Sequence, residues 1–256
     1  MSNTALITGA SSGIGREFAR LHASKGGDLF ITARRADELD ALKEELETKH
    51  KVSVTTIPLD LAADGGAAAL YAGLKGARID VLINNASFGG QGAFIDRDLG
   101  KDLAMIDLNI KALVSLTHMI ANDMATAGGG KILNVSSTAS YMPGPLQATY
   151  FATKAFVSSF SQALDAELRD KGVTVTALEP GYVETEFAQT ADLEGTGLAN
   201  QKGATPAEVA AFGYKAMQNG ELRAINDGRL RFMLNWIVPF MPRRSALNMI
   251  KKMQAK

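Results

Sequence analysis

Short apolar runs alternate along this chain with longer stretches of helical periodicity. Thr4–Thr8 is apolar and is followed by a Gly/Ser loop. Residues 13–25 then carry Ile14, Phe18, Ala19 and Leu21 at helical spacing. A second strand follows at 29–33. A charged amphipathic helix at 37–49 places Leu39, Leu42 and Leu46 on one face. A third strand at 52–58 leads into an Ala-rich helix. Val81–Asn84, 132–135 and Val173–Leu178 read as further strands, separated by helical stretches at 98–127 and 148–171. Strands this continuously apolar are buried on both faces, and their alternation with helices predicts a parallel sheet covered on both sides: an α/β, doubly wound Rossmann architecture. No repeat and no separating linker interrupts the pattern, so residues 1–256 read as one domain. The one long irregular stretch is 181–203, which suits a lid or a disordered segment.

Composition narrows the classes. The 256 residues have a formal net charge of +0 and no cysteine. Charge balance argues against non-specific nucleic-acid binding, and the missing cysteines exclude disulfides, thiolate catalysis and zinc–thiolate sites. His22, His50 and His118 lack metal-ligand spacing, so no metal site is expected. The N-terminus has no signal-peptide pattern. A membrane span needs about 20 apolar residues, and the longest candidate noted, 232–241, is shorter and interrupted by Asn235 and Pro239. A cytoplasmic protein is expected.

The turn after the first strand reads Gly9-Ala10-Ser11-Ser12-Gly13-Ile14-Gly15. Glycines let the backbone approach a ligand closely, and the following helix aims its free N–H groups and positive dipole end at it, which suits a pyrophosphate. The same residues match G-x-S-x-G, the nucleophile elbow of α/β-hydrolases, with Ser11 as nucleophile. That rival lacks room for an earlier oxyanion strand and has no downstream histidine beyond His118. The second strand ends Ala33-Arg34-Arg35 with no carboxylate, which favours NADP, whose 2′-phosphate suits arginine, over NAD.

Tyr150 and Lys154 stand four residues apart, on one face of a helix. A neighbouring ammonium stabilises phenolate and lowers a tyrosine pKa, fitting Tyr150 for proton exchange with a substrate oxygen. The pair alone is weak, since Tyr71 and Lys75 share the spacing and read as a surface coincidence. Ser137 distinguishes the first pair: it stands thirteen residues before Tyr150, just beyond a strand end, where open α/β sheets bind ligands.

Together these residues resemble the short-chain dehydrogenase/reductase family. The resemblance runs from the first strand to about Thr185, more loosely to about residue 228. It rests on Thr8 to Gly15, Asp60-Leu61, Asn84-Asn85-Ala86, Asn109, Ser137, Tyr150 to Lys154 and Pro180-Gly181, in this order. It implies a seven-stranded parallel sheet and a homodimer or homotetramer. It implies that Tyr150 exchanges the proton, Ser137 orients the carbonyl oxygen, Lys154 binds the nicotinamide ribose, and Asn109 holds a water linking Lys154 to solvent. Gly9, Ser11, Ser12, Gly13, Ile14 and Gly15 would bind the pyrophosphate, and Arg34 and Arg35 the NADP 2′-phosphate. Asp60 and Leu61 would meet adenine, Asn85 and Ala86 its ribose, and Pro180, Gly181, Val183 and Thr185 the nicotinamide. The family usually has glycine where this chain has Ser87, and a small local adjustment is expected there. Read singly, Asp60 also suits a cap on the next helix, Asn109 a local backbone bond and Ser136 a strand-end hydroxyl.

Residues 229–256 form an apolar, basic extension. Leu230, Met233, Leu234, Ile237, Val238 and Met241 make one helical stripe and Phe232, Trp236 and Phe240 another, with Pro239 expected to kink or break the helix. The extension would cover the substrate pocket or pack in a subunit interface, rest on an anionic membrane through 229–252, or be plain core. The expected activity is interconversion of a carbonyl and an alcohol on a small molecule with an apolar part. The motive is Phe88, Tyr141, Met142 and Phe187, expected near the pocket. The non-enzymatic alternative is a catalytically silent NADPH-binding regulator.

Overall fold

Val81–Asn84 is buried at every position, and Thr4–Thr8 at all but its first. Strands with no solvent face need layers on both sides, and the chain supplies them. The computed structural model describes residues 3–197 and 202–256. Strands β1 (Thr4–Thr8), β2 (Asp28–Ala33), β3 (Val54–Pro58), β4 (Val81–Asn84), β5 (Gly130–Val135), β6 (Val173–Leu178) and β7 (Arg223–Ala224) form one seven-stranded sheet. Its order is β3-β2-β1-β4-β5-β6-β7, and every neighbouring pair is parallel.

On one face lie α1 (Gly13–Ser24) and α2 (Ala36–His50); on the other lie α3 (Gly66–Gly73), α4 (Leu99–Ile106), α5 (Leu113–Thr126) and α6 (Ala148–Leu168). After β6 come the four-residue α7 (Phe187–Thr190) and α8 (Pro206–Gln218), which packs beside α1. Phe18, Leu39, Leu42 and Leu46 fill the first core against Ile7 and Ile31, so the apolar faces read from the sequence do point inward. Leu70, Leu116, Ile120 and Met124 fill the second against Leu6, Leu82 and Ile132. Asn84 and Asn134 cross the buried sheet without stranding an amide: Asn84 donates to Thr117 Oγ1 and Asn134 Oδ1, and Asn134 to Ser161 Oγ.

The helical stretch expected at 98–127 is present as α4, a π turn at Asp107–Ala112, and α5. Two expectations need correction. By length and composition Leu99–Thr126 is apolar enough to cross a membrane, so 232–241 is not the longest candidate; Leu116, Ile120 and Met124 nevertheless pack onto the sheet. The stretch 181–203 is not wholly irregular, since it holds α7, and Val183 bridges to Ala204; residues 198–201 lie outside the described residues. The break expected at Pro239 within 230–241 is present. α9 (Gly228–Trp236) is capped by the Asp227 carboxylate, Pro239 sits in a 3₁₀ turn at Val238–Phe240, and α10 (Arg243–Gln254) follows.

Between β1 and β4 the connections depart to opposite faces of the sheet, which opens a crevice at the strand ends. Gly15 keeps that crevice narrow. A Cβ there would lie 2.3 Å from the Gly9 carbonyl oxygen and 2.5 Å from Asn85 Nδ2. Gly15→Ala is therefore expected to cost roughly 1–3 kcal/mol. Gly228→Ala, whose methyl would meet nothing within 4 Å, is expected to stay within about 0.5 kcal/mol of the parent. Urea denaturation midpoints measure both.

Candidate active site

The turn from β1 into α1 is held from two sides. The N–H groups of Gly9 and Ala10 donate to the Thr32 carbonyl at 2.8 and 3.2 Å, hooking the turn to β2. Asn85 Nδ2 donates to the carbonyls of Thr8 and Gly9 at 3.0 and 3.2 Å, and Thr8 Oγ1 accepts from the N–H groups of Asn85 and Ala86. Ser12, at the N-cap of α1, puts no side-chain bond on the first turn, and that turn contains no acidic residue. The first-turn N–H groups and the positive dipole end are thus left for an anion.

Around this turn runs a cleft of about 680 Å³. Every residue assigned above to the nucleotide or to catalysis lines it except Gly15 and Asn109, which stand behind its wall. Arg34 and Arg35 are exposed at its outer end. Arg35 donates to Ser11 Oγ at 3.3 Å and pairs with Glu186 at 3.0 Å across the mouth, which draws the Glu186 carboxyl below its usual range. Arg34 has no hydrogen-bond or ion-pair partner among the described residues. Asp60 does not cap α3, which begins at Gly66; its carboxylate accepts from the N–H of Ala62 and closes a turn on the cleft rim. Ser87 lines the cleft without a positive φ, so serine is not strained there.

At the inner end, α6 carries Tyr150 and Lys154 on one face, with Lys154 Nζ 5.7 Å from the Tyr150 ring centre. Ser137, just beyond β5, lines the same end of the cleft as Tyr150, and its side-chain oxygen accepts from the N–H of Ala139. Lys154 Nζ donates to the Val135 carbonyl at 2.9 Å. Ser136 turns away, donating to the Lys154 carbonyl, as a strand-end hydroxyl would. Asn109 lies in the π turn and is buried. Its amide donates to the Phe88 carbonyl at 3.0 Å and to Thr153 Oγ1 at 3.1 Å, while Phe88 N–H donates to its Oδ1 at 3.2 Å. It buttresses the wall beside α6.

Burial pushes the Tyr150 phenol up to about 12, with the neighbouring Ser137 hydroxyl working the other way. Burial pulls the Lys154 ammonium down to about 7. The net direction for Tyr150 is opposite to the lowering expected from its neighbour, because desolvation penalises phenolate and ammonium together. The rival pair separates as expected: Tyr71 donates to Asp123 at 2.7 Å, and Lys75 lies beyond the end of α3.

The inner cleft is apolar. Phe88, Met142 and Phe187 line it, the Phe187 ring centre 5.4 Å from that of Tyr150. Tyr141 does not line it. Its hydroxyl donates to the buried Glu179 at 2.8 Å, and Arg223 stacks over its ring at 4.5 Å. Sequence reasoning left open which of its three readings held for the tail, and the structure places Leu230, Met233 and Leu234 of α9 and Met249, Ile250 and Met253 of α10 on the cleft wall. Gln147 and Gln254 were not foreseen. Gln147 Nε2 donates to the Gln254 side chain and Gln91 Nε2 to its main-chain carbonyl, pinning α10 to the rim. No histidine lines the cleft among the described residues; His22 is buried between Tyr214 and the Asn3 carbonyl, so Ser11 has no base for a hydrolase triad.

The geometry has counterparts. A family model described as short chain dehydrogenase matches residues 3–194. The chain is 36% identical over 240 residues to sulfoacetaldehyde reductase 2 of Chromohalobacter salexigens, covering 91% of this chain and 94% of that one. It is 36% identical over 189 residues to human very-long-chain 3-oxoacyl-CoA reductase, covering 72% of this chain but only 61% of that protein. A short-chain dehydrogenase from Sphingobium yanoikuyae, solved in complex with NADPH, superposes with a TM-score of 0.86 at 31% identity, over 99% of this chain and 98% of that one. With a doubly wound seven-stranded sheet, a glycine turn at its switch point and these matches, the chain is an oxidoreductase of the short-chain dehydrogenase family.

Proposed function

We propose that this protein is an NADPH-dependent reductase of a ketone or aldehyde attached to an apolar chain. The observation that carries the reading is the convergence of Ser137, Tyr150 and Lys154 at the inner end of one cleft, with Lys154 Nζ 5.7 Å from the Tyr150 ring centre and the glycine turn and Arg34-Arg35 at the outer end. The free N–H groups of the first turn of α1 suit a pyrophosphate, and the missing side chain of Gly15 lets the turn close beneath it. Arg34 and Arg35 would hold the 2′-phosphate, and no carboxylate ends β2 to favour the free hydroxyl of NAD. Asp60, Leu61, Asn85 and Ala86 would line the adenosine end; Pro180, Gly181, Val183 and Thr185 the nicotinamide. The nucleotide supplies hydride; the remaining chemistry belongs to this chain's side chains.

Tyr150, protonated at neutral pH, donates its proton to the carbonyl oxygen while Ser137 holds that oxygen in place. Lys154 then faces the phenolate. Negative charge brought into the cleft favours its ammonium form, offsetting the desolvation that weakens it. Leu230, Met233, Leu234, Met249 and Ile250 exclude water from the inner end and present a wall for an aliphatic or ring substituent. Two relatives named above act on different carbonyls by name. Apart from Lys154, Arg34 and Arg35, no lysine, arginine or histidine lines the cleft among the described residues, so an apolar carbonyl compound fits better than a sulfonate.

Titration with NADPH and NADH, followed by nicotinamide fluorescence, should show preference for NADPH. In Arg34→Ala/Arg35→Ala that preference should fall by about 10-fold or more, since two charge-assisted bonds are lost. Failure of both nucleotides to bind would overturn the reading.

Tyr150→Phe should lower kcat by about 10²–10⁴-fold with NADPH affinity unchanged. Retained turnover would remove Tyr150 from the mechanism; absence of turnover in the parent across a ketone panel would favour the silent regulator. Reduction needs neutral Tyr150 and charged Lys154, so its rate should fall as pH rises past the Lys154 value, which is about 7 without nucleotide and higher with its negative charge in the cleft. Oxidation needs phenolate and should keep rising towards the Tyr150 value of about 12.

We also propose a homo-oligomer. Leu99, Leu103 and Ile106 form an exposed stripe on α4, beside Phe156 of α6, which is also exposed and stacks on Phe160. Light scattering should give at least a dimer, and Leu103→Glu/Ile106→Glu should shift it to monomer.

A further inference from the structure

The tail that closes the cleft has a second, outward face. Phe232, Trp236 and Phe240 are 61, 68 and 81% exposed, and Ile237 is exposed beside them. These side chains lie opposite Leu234 and Val238, which are buried. Charge is distributed equally unevenly. From 228 to 256 the chain has seven basic residues, Arg229, Arg231, Arg243, Arg244, Lys251, Lys252 and Lys256, and no acidic one. The whole chain sums to +0, so these last 29 residues carry +7 and the rest −7. Among the described residues only Lys256 of these seven enters an ion pair, with Asp192. The others are exposed and unneutralised.

We propose that the outer face of α9 and of the turn after it docks on an anionic lipid surface, with Phe232, Trp236 and Phe240 entering the interfacial region and the arginines meeting the headgroups. Aromatic rings flanked by arginine are the side chains that interface favours. A second copy of this chain is a poor occupant, because pairing the face with itself would set cation against cation. The same helices line the cleft with Leu230, Met233 and Met249, so docking would bring the apolar wall of the site to the bilayer surface. The proposal stands apart from the carbonyl chemistry.

Trp236 is the chain's one tryptophan, so its emission reports on this face alone. The full-length protein is mixed with phosphatidylcholine vesicles containing or lacking phosphatidylglycerol. Co-sedimentation with the anionic vesicles and a blue shift of Trp236 emission are expected, both reversed by salt. Arg243→Glu/Arg244→Glu should weaken binding by about 10-fold or more. Phe232→Ser/Phe240→Ser should suppress the blue shift, with unchanged melting and unchanged nucleotide binding. Neither variant touches the cleft lining. No partition at low salt, equal partition onto uncharged vesicles, or sedimentation without a blue shift would each overturn the proposal. So would a blue shift produced by concentrating the protein alone and matched by self-association, which would make a second copy the occupant.

Discussion

Asn85 ties the end of β4 to the end of β1 through the carbonyls of Thr8 and Gly9. That tether lies where the connections split to opposite faces of the sheet. It adds to the β1–β4 ladder and to the bonds that Thr8 Oγ1 accepts from the N–H groups of Asn85 and Ala86. Gly15 completes the closure from the helix side: its α-hydrogen faces the Gly9 carbonyl in space that a methyl group would occupy. The first turn of α1 is thereby fixed with its N–H groups uncommitted, and α6 and the tail are arranged along the cleft that begins there. A half-buried amide thus does the work of a side-chain strut, through its two hydrogen bonds to the Thr8 and Gly9 carbonyls.

The inner end of the cleft depends on a different balance. Tyr150 and Lys154 are both desolvated, and each is pushed towards its neutral form. A site at rest in this state stores little charge and costs the fold little. Charge appears only when an anion enters or a proton leaves, and the fixed dipole of the Val135 carbonyl is already aimed at Lys154. Preorganisation of this kind needs a rigid floor, which β5 and the long α6 provide.

Much of this was legible from periodicity and spacing. β1, β4 and β6 begin and end where the apolar runs do, because buried parallel strands tolerate little else. The glycine turn and Ser137 could be placed from strand ends, and Tyr150 and Lys154 from their four-residue spacing on a helix. What remained hidden depended on tertiary partners. Tyr141 looks like a pocket aromatic, but buried Glu179 and Arg223 claim it. Asp60 resembles a helix cap, yet the helix starts later. Nothing local tells Gln254 that Gln147 and Gln91 await it across the rim. The tail's two apolar stripes are equivalent in sequence; only the packed structure says which one turns inward.

The π turn at Asp107–Ala112 joins two rods of opposite loyalty. α4 shows Leu99, Leu103 and Ile106 to the outside, while α5 buries Leu116, Ile120 and Met124 against the sheet. The wider turn inserts the angular offset that lets one continuous helix change its facing. Asn109 sits at that join and grips both backbone groups of Phe88 on the cleft wall. Outer surface and inner wall therefore share a single rotational setting, and a twist imposed on one is a twist delivered to the other.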